Sequence, residues 1–247
     1  MKFFHCMAIG LAGLFLGACG PMSVNAERGS GRVTAEDRTV RGVDAVTLNT
    51  SGKLFIEKGE AESLRIEADD NLLPYLQIFV RGGELTIQRS KTANLHFSQP
   101  PRYYLTVKNL NAINIFSSGD VEAPDLEADN FSITVSSSGD LRMGNLKTGL
   151  LKADLNSSGD VFMGLLTADR LEATLNSSGD LRISGGSVGK QNVSLNSSGD
   201  YGAQDLDSVE TAISLNSSGD ASVRVRDRRG AFPIFQSATD GPWKNGE

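Results

Sequence analysis

Leu215-Asn216-Ser217-Ser218-Gly219-Asp220 is the last of a series of near-identical stretches in the chain. Ser-Ser-Gly-Asp ends at Asp120, Asp140, Asp160, Asp180, Asp200 and Asp220, six copies spaced by 20 residues. A fixed period in this range marks a solenoid, in which each repeat is one coil that cannot bury its apolar face alone. Aligned on this turn, the chain from Pro101 becomes a set of columns. Three places and one place before the residue that precedes the turn (Phe116, Ser136, Asn156, Asn176, Asn196 or Asn216) stand alternating apolar residues, Ile113/Ile115, Ile133/Val135, Ala153/Leu155, Ala173/Leu175, Val193/Leu195 and Ile213/Leu215. Directly after the turn stand Val121, Leu141, Val161, Leu181 and Tyr201, and five residues later Leu126, Leu146, Leu166 and Leu206, with Gly186 as the exception.

Alternation within a coil and identity between coils predict an all-β fold, a right-handed parallel β-helix with 20-residue coils over about residues 101–220. Like residues then stack at the strand spacing of about 4.8 Å and fuse into one core, with about five apolar side chains per coil. The turn has a mechanical reading. Gly is expected to supply a positive φ at the corner, and Ser and Asp to bond nearby backbone. Asn156, Asn176, Asn196 and Asn216 are expected to form an amide ladder, each bonding the next coil.

Upstream, Asn49-Thr50-Ser51-Gly52-Lys53-Leu54-Phe55-Ile56 is a degenerate copy with Lys in the Asp place, and Gly82-Gly83-Glu84-Leu85-Thr86-Ile87 echoes Ser178-Gly179-Asp180-Leu181-Arg182-Ile183. Residues 40–100 are therefore either two enlarged early coils or a separate small β-domain capping the helix end. At the other end, 221–247 is expected to form a cap, with Phe232, Ile234, Phe235 and Trp243 covering the open core.

The N-terminus reads as an export signal, residues 1–18. Lys2 precedes an apolar run from Phe3 to Leu16 that is too short to span a bilayer. Leu16-Gly17-Ala18-Cys19 resembles the bacterial lipobox, which makes Cys19 the expected lipidation site and the membrane a partner through that anchor. Gly20 stands where an Asp would resemble an inner-membrane retention signal, so the expected address is the cell envelope at the outer membrane. Residues 19–38 are expected to be a flexible tether, and 39–247 the folded domain. Cys6 lies in the leader, so no disulfide is available to the mature chain. Removing residues 1–18 takes away Lys2 and no acid, leaving 23 basic against 30 acidic residues. That balance argues against nucleic acid as a partner.

The lipobox leader, the strand-rich N-terminal segment with Gly83-Glu84-Leu85-Thr86-Ile87, and the six later turns together resemble the bacterial head GIN domain family of auto-transporter adhesins, over roughly Val40 to Pro242. The resemblance implies an exported β-helical domain with an adhesive role and an unidentified protein or glycan partner. The family commonly closes with a Tyr-x-Gly-x-Pro-like end. Phe235-Gln236-Ser237-Ala238-Thr239-Asp240-Gly241-Pro242 sits in register with the Ser-Ser-Gly-Asp motif but has lost its Gly and Ser, so its cap is expected to differ.

Little in the chain suggests catalysis, and no cofactor is expected. The mature chain has one histidine, His96, with neither Cys nor Asp nearby, which suits neither a nucleophilic triad nor a zinc site. Asp120, Asp140, Asp160, Asp180, Asp200 and Asp220 are the sharpest candidates. Stacked carboxylates repel and suit Ca²⁺, although the Gly-Gly-x-Gly-x-Asp repeat of calcium β-rolls is absent. Solvated turn carboxylates are the simpler reading, and identical acids give no pair the distinct environments that acid–base chemistry on sugars requires. Arg224, Arg226, Arg228 and Arg229 form a basic closing edge, either a guard against edge-to-edge association or a site for an anionic glycan or other partner. The outward column Thr134, Asp154, Thr174, Ser194, Ser214 is polar, but Lys152 and Glu172 beside it spoil a flat ice-binding face. The expected function is an adhesin-like binding module. A polysaccharide-binding or polysaccharide-cleaving protein and a purely structural envelope lipoprotein are the alternatives.

Overall fold

The computed structural model describes residues 26–91, 93–196, 198–216 and 218–225, together with the backbone of 234–238. The leader, Cys19, Arg226, Arg228, Arg229, Phe232 and Trp243 lie outside the described residues. The strands of the N-terminal part are β1 (Ala26–Arg28), β2 (Val33–Arg38), β3 (Ala45–Asn49), β4 (Lys53–Lys58), β5 (Ser63–Asp69), β6 (Leu76–Arg81), β7 (Glu84–Arg89), β8 (Asn94–His96) and β9 (Arg102–Val107). They continue as β10 (Ala112–Ile115), β11 (Asp120–Ala123), β12 (Leu126–Val135), β13 (Leu141–Met143) and β14 (Leu146–Leu155). The last are β15 (Val161–Leu175), β16 (Leu181–Leu195), β17 (Tyr201–Leu215), β18 (Ala221–Val225) and β19 (Ile234–Ala238). One short 3₁₀ turn, Leu73–Tyr75, interrupts them. No helix among the described residues is long and apolar enough to cross a membrane.

From β10 onward the chain is the expected parallel β-solenoid. Residue n pairs with residue n + 20 through β12, β14, β15, β16 and β17, as in Leu146↔Leu166, Gly186↔Leu206 and Leu195↔Leu215. Pairing breaks at three places per coil. One is the Ser-Ser-Gly-Asp corner, one lies at Gly144 and Gly164, and one at Asp129, Gly149 and Asp169, so one continuous sheet bends around the core in three faces. A full coil points up to seven side chains inward, three more than the four columns named from the sequence. In one coil they are Leu141, Met143, Leu146, Thr148, Leu151, Ala153 and Leu155, all buried. The additional columns are those of Met143, Thr148 and Leu151. Each buried Leu, Ile or Met supplies about 1.5–3 kcal/mol against the entropy of ordering its coil.

The alternatives for residues 40–100 resolve into a mixture. β3 pairs in parallel with β10 on one side and β7 on the other, and β4 likewise with β11 and β9. Both early segments are therefore coils of the solenoid, but their stacking order is not their chain order. The coil of β3 and β4 sits between the coil of β7 and β9 and that of β10 and β11. Beyond them the sheet turns antiparallel, with β6 on β7, β5 on β9 and β2 on β5. The echo at Gly83 is corrected by the register. Leu85 and Ile87 pair with Val46 and Leu48, hence with the Ile113 and Ile115 columns before the corner, not with the strand after it. Pro101 holds the corner place beside Gly52, and its carbonyl accepts the Lys53 N–H at 2.9 Å.

A second correction concerns the tether expected over 19–38, because Ala26–Arg28 and Val33–Arg38 are strands. β2 is mostly exposed, so backbone pairing with β5 and polar contacts hold it, not an apolar face. The fully buried Asp69 is its anchor. It accepts the Gly31 N–H at 2.9 Å, the Ser98 N–H at 2.8 Å and the Ser98 hydroxyl at 2.5 Å. Burial alone would raise its pKa, but these hydrogen bonds to the charged form outweigh it and hold the carboxyl below its ordinary value.

At the other end the period itself shifts. β18 pairs with β17 as Ala203↔Val223 and then Asp207↔Arg224, and β19 adds antiparallel to β18. Just before this shift the interior turns polar. Gln191 and Ser208 are fully buried, and the Gln191 amide donates to the Ser208 hydroxyl at 2.9 Å and to that of Thr211 at 3.0 Å. The buried Tyr201 hydroxyl donates to Gln191 Oε1 at 2.7 Å. Gly186 has a φ of 113° and no room for a Cβ, which would lie 2.0 Å from the Leu166 carbonyl oxygen. Its inward column is therefore empty in the coil next to Tyr201.

Candidate functional surface

The repeated corner is built from bonds between coils. The N–H of each Asp is held by the carboxylate of the Asp one coil before it. Asp140 N–H reaches Asp120 Oδ1 at 3.1 Å, Asp160 reaches Asp140 at 3.1 Å, and Asp180 reaches Asp160 at 2.9 Å. Asp200 to Asp180 at 2.9 Å and Asp220 to Asp200 at 3.0 Å complete the series. Each column carboxylate from Asp120 to Asp200 thus satisfies an amide that faces a like charge above it, which offsets their repulsion. The amide ladder forms as expected, with Asn176 donating to Asn156, Asn196 to Asn176 and Asn216 to Asn196, each at 2.8 Å. Ser157 and Ser177 hydroxyls donate to the carbonyls of Ser137 and Ser157.

The corner glycine is required, but not for the expected reason. None of Gly119, Gly139, Gly159, Gly179 or Gly199 has a positive φ. Instead a Cβ on Gly139, Gly159, Gly179 or Gly199 would lie 2.1–2.3 Å from the carbonyl oxygen of the glycine one coil earlier. The close approach of successive backbones at this edge leaves space only for hydrogen. The early copies at Gly52 and Gly83, with φ of 113° and 85°, do have the positive φ expected of the whole series.

The other expected site residues are scattered. Arg224 lies 3.4 Å from Asp205 and 3.8 Å from Asp207, so it closes the shifted last coil by ion pairing. His96 is exposed, 3.5 Å from the Asn94 side chain. An open groove of 970 Å³ follows the third corner, lined by Asp44, Asn111, Asp129, Lys147, Thr148 and Asp169 among others. Among the described residues no three His, Cys, Asp or Glu side chains are grouped so as to hold a metal ion.

One surface was not anticipated. The outward residue of the sheet after the corner runs Tyr104, Phe55, Glu122, Arg142, Phe162, Arg182 and Gly202 along the axis. Phe55 and Tyr104 stack with centroids 5.2 Å apart and planes 12° from parallel. Arg142 and Arg182 cover the Phe162 ring from the coils on either side, 5.1 and 5.8 Å from its centroid. Arg182 is also bonded to Asp180 at 2.8 Å, and Arg142 lies 3.7 Å from Asp140. Lys53 meets Glu122 at 2.5 Å. The signal was present in the sequence as aromatic and cationic residues at steps of 20, Arg142, Phe162 and Arg182. Their variety hid them beside columns of identical residues.

The family model described as "Putative auto-transporter adhesin, head GIN domain" matches residues 42–231, well over half of the chain. No functionally curated protein matches. Among solved structures, a putative adhesin from Parabacteroides merdae ATCC 43184 superposes with a TM-score of 0.73 at 21% identity, covering 81% of this chain and 84% of that one. A putative adhesin from Parabacteroides distasonis ATCC 8503 gives 0.70 at 22%, with the same coverages. A protein from that organism titled a putative lipid binding protein gives 0.65 at 22%, covering 81% and 85%. At these identities the likeness is one of fold.

Proposed function

Because the chain belongs to the head GIN domain family of putative auto-transporter adhesins, we propose that it is an adhesin-like interaction module of the cell envelope, a rigid solenoid that meets its partner with an outward sheet face. One observation supports this above the rest. The side chains best suited to chemistry, the repeated Ser, Asn and Asp of the corner, are engaged in coil-to-coil bonds, while the outward columns present charged side chains such as Arg142 and Arg182 to solvent. Each column acid from Asp120 to Asp200 has a carboxylate oxygen committed to the amide of the next coil, and Asp140 and Asp180 also face Arg142 and Arg182, so these carboxylates serve as partners within the scaffold. That favours binding over sugar cleavage.

The anchor completes the proposal. Acylation of Cys19 would hold the solenoid at the outer membrane. Two measurements test the reading. Growth with a labelled fatty acid should label the wild type and leave Cys19→Ser unlabelled and released from the membrane fraction. The purified full-length chain, coupled to beads, should be retained saturably by bacterial envelopes or by extracellular matrix. Retention equal to that of uncoupled beads would sink the adhesive role.

A further inference from the structure

Each coil of the solenoid is covered by the next until the last. Val193 and Leu195 are 3% and 0% exposed, but Ile213 and Leu215, which continue their columns, are only half-buried. The end of the molecule is a step. On the face after the corner β18 lies on β17 and β19 on β18, a rise of two strands, or about 10 Å. On the face before it, no strand among the described residues pairs with the outer edge of residues 211–215. Asn216 N–H points back to the Leu195 carbonyl, so by alternation the N–H and C=O groups of Ile213 and Leu215 face the open side. Residues 226–233 join β18 to β19. Residues 239–247 hold one large apolar side chain, Trp243, with Gly241, Pro242 and Gly246, a composition unsuited to a strand over two apolar columns.

We propose that the occupant of this edge is a second copy of the chain, in a closed tail-to-tail dimer. A two-fold axis across the solenoid at the Ser-Ser-Gly-Asp corner exchanges the faces before and after it and reverses the stacking direction. It lays the β18–β19 hairpin of each copy into the step of the other. Strand sense fits. Residues 211–215 run toward the corner and β18 away from it, and the axis preserves sense relative to the corner. The second copy's edge therefore runs parallel to β19, which is the reverse of β18. Length fits as well, since Ile234–Ala238 and residues 211–215 are both five residues. The added strand completes the ladder and covers Ile213 and Leu215. Head-to-tail stacking fails at the far end, where the face after the corner is again the longer. There β5 and β2 lie beyond β9, against β6 alone beyond β7. Long faces would meet and hold the short ones apart. The two-fold interface is isologous and closes at two copies. It leaves the outward sheet faces uncovered and sets the two copies of β2 at opposite tips. Resting on the Cys19 anchor proposed above, the dimer would then bridge two facing membranes.

The experiment is light scattering of the full chain in detergent, with the micelle mass subtracted, over about a hundredfold range of concentration. The inference expects masses that rise from one copy to two and stop there. Ile213→Lys, which puts a charge into the joined core, should weaken pairing about tenfold or more while the single copy keeps its melting temperature. Should that variant fail to fold, hydrogen exchange of the wild type gives a second reading, because the amides of Ile213 and Leu215 should slow on pairing. One copy at every concentration overturns the inference, as does growth beyond two. So does a folded Ile213→Lys that pairs as well as wild type, or unslowed exchange at both amides. Vesicles carrying the acylated chain should cluster, and those carrying Ile213→Lys should not. A dimer in detergent without clustering overturns the bridging alone, and retention on envelopes or matrix reports separately on the adhesive role.

Discussion

The regular coils after β10 and the early coils of β3, β4, β7 and β9 share one core but are held in different ways. In the regular part every strand pairs with the chain 20 residues away, and the corner repeats one set of bonds. In the early part the partners are far apart in sequence, as with Asn114 bonding Thr47 across 67 residues, and antiparallel strands cover the outside. There, single buried polar groups such as Asp69 do what the ladders do elsewhere. Redundancy thus protects the regular part against loss of any one side chain, whereas its backbone contacts tolerate no addition.

The largest effect should come from adding atoms at the regular corner. Gly159→Val places a Cβ 2.2 Å from the Gly139 carbonyl oxygen and should cost about 3 kcal/mol or more, or prevent folding, in urea unfolding. Gly82→Ala is the matched change in the early part. Gly82 has a φ of 58° and open space around it, so the cost should be only about 1 kcal/mol of backbone strain. Equal losses would erase the distinction between crowding and conformation.

Next comes removal of a unique anchor. Asp69→Asn leaves the amides of Gly31 and Ser98 poorly satisfied and should cost about 1–3 kcal/mol. Because the folded carboxyl lies below its ordinary value, its contribution is fully present above the unfolded pKa of about 4. It is lost as pH falls through the folded pKa. The gap in melting temperature between wild type and Asp69→Asn should therefore be constant near neutrality and close in acid. A gap that widens in acid would reverse the assignment.

Gln191→Leu should cost about 1–2 kcal/mol, since the Tyr201 hydroxyl and the Ser208 and Thr211 hydroxyls lose their shared partner, measured by thermal unfolding. Smallest is Asn176→Ala, one exposed rung of a ladder, at about 0.5–1 kcal/mol. A loss from Asn176→Ala greater than that from Asp69→Asn would mean that the ladders, not the anchors, dominate.

The parts legible in the sequence were those written more than once. The inward columns, the coil length and the amide ladder follow from identity at steps of 20. A sequence cannot tell whether Gly159 is present for its dihedral freedom or for lack of a Cβ, and crowding by Gly139 turned out to decide it. Gly83 misled because Leu85 and Ile87 alternate as any inward strand does, so the motif fits the strand before the corner as well as the one after it. Val33–Arg38 lacks an apolar stripe, and its order comes from partners near Asp69 that lie more than thirty residues away. The Arg142–Phe162–Arg182 row was hidden because a ladder of complementary residues leaves no repeated letter.

The interleaving of the early coils also means that the stack is not laid down in chain order from one end. Residues 45–58 have a backbone edge open on each side until other segments join them. Residues 84–107 then seat on one edge and 112–123 on the other. Growth therefore begins in two directions from a central coil and becomes one-way only after β10, when each new coil finds a single open edge to join.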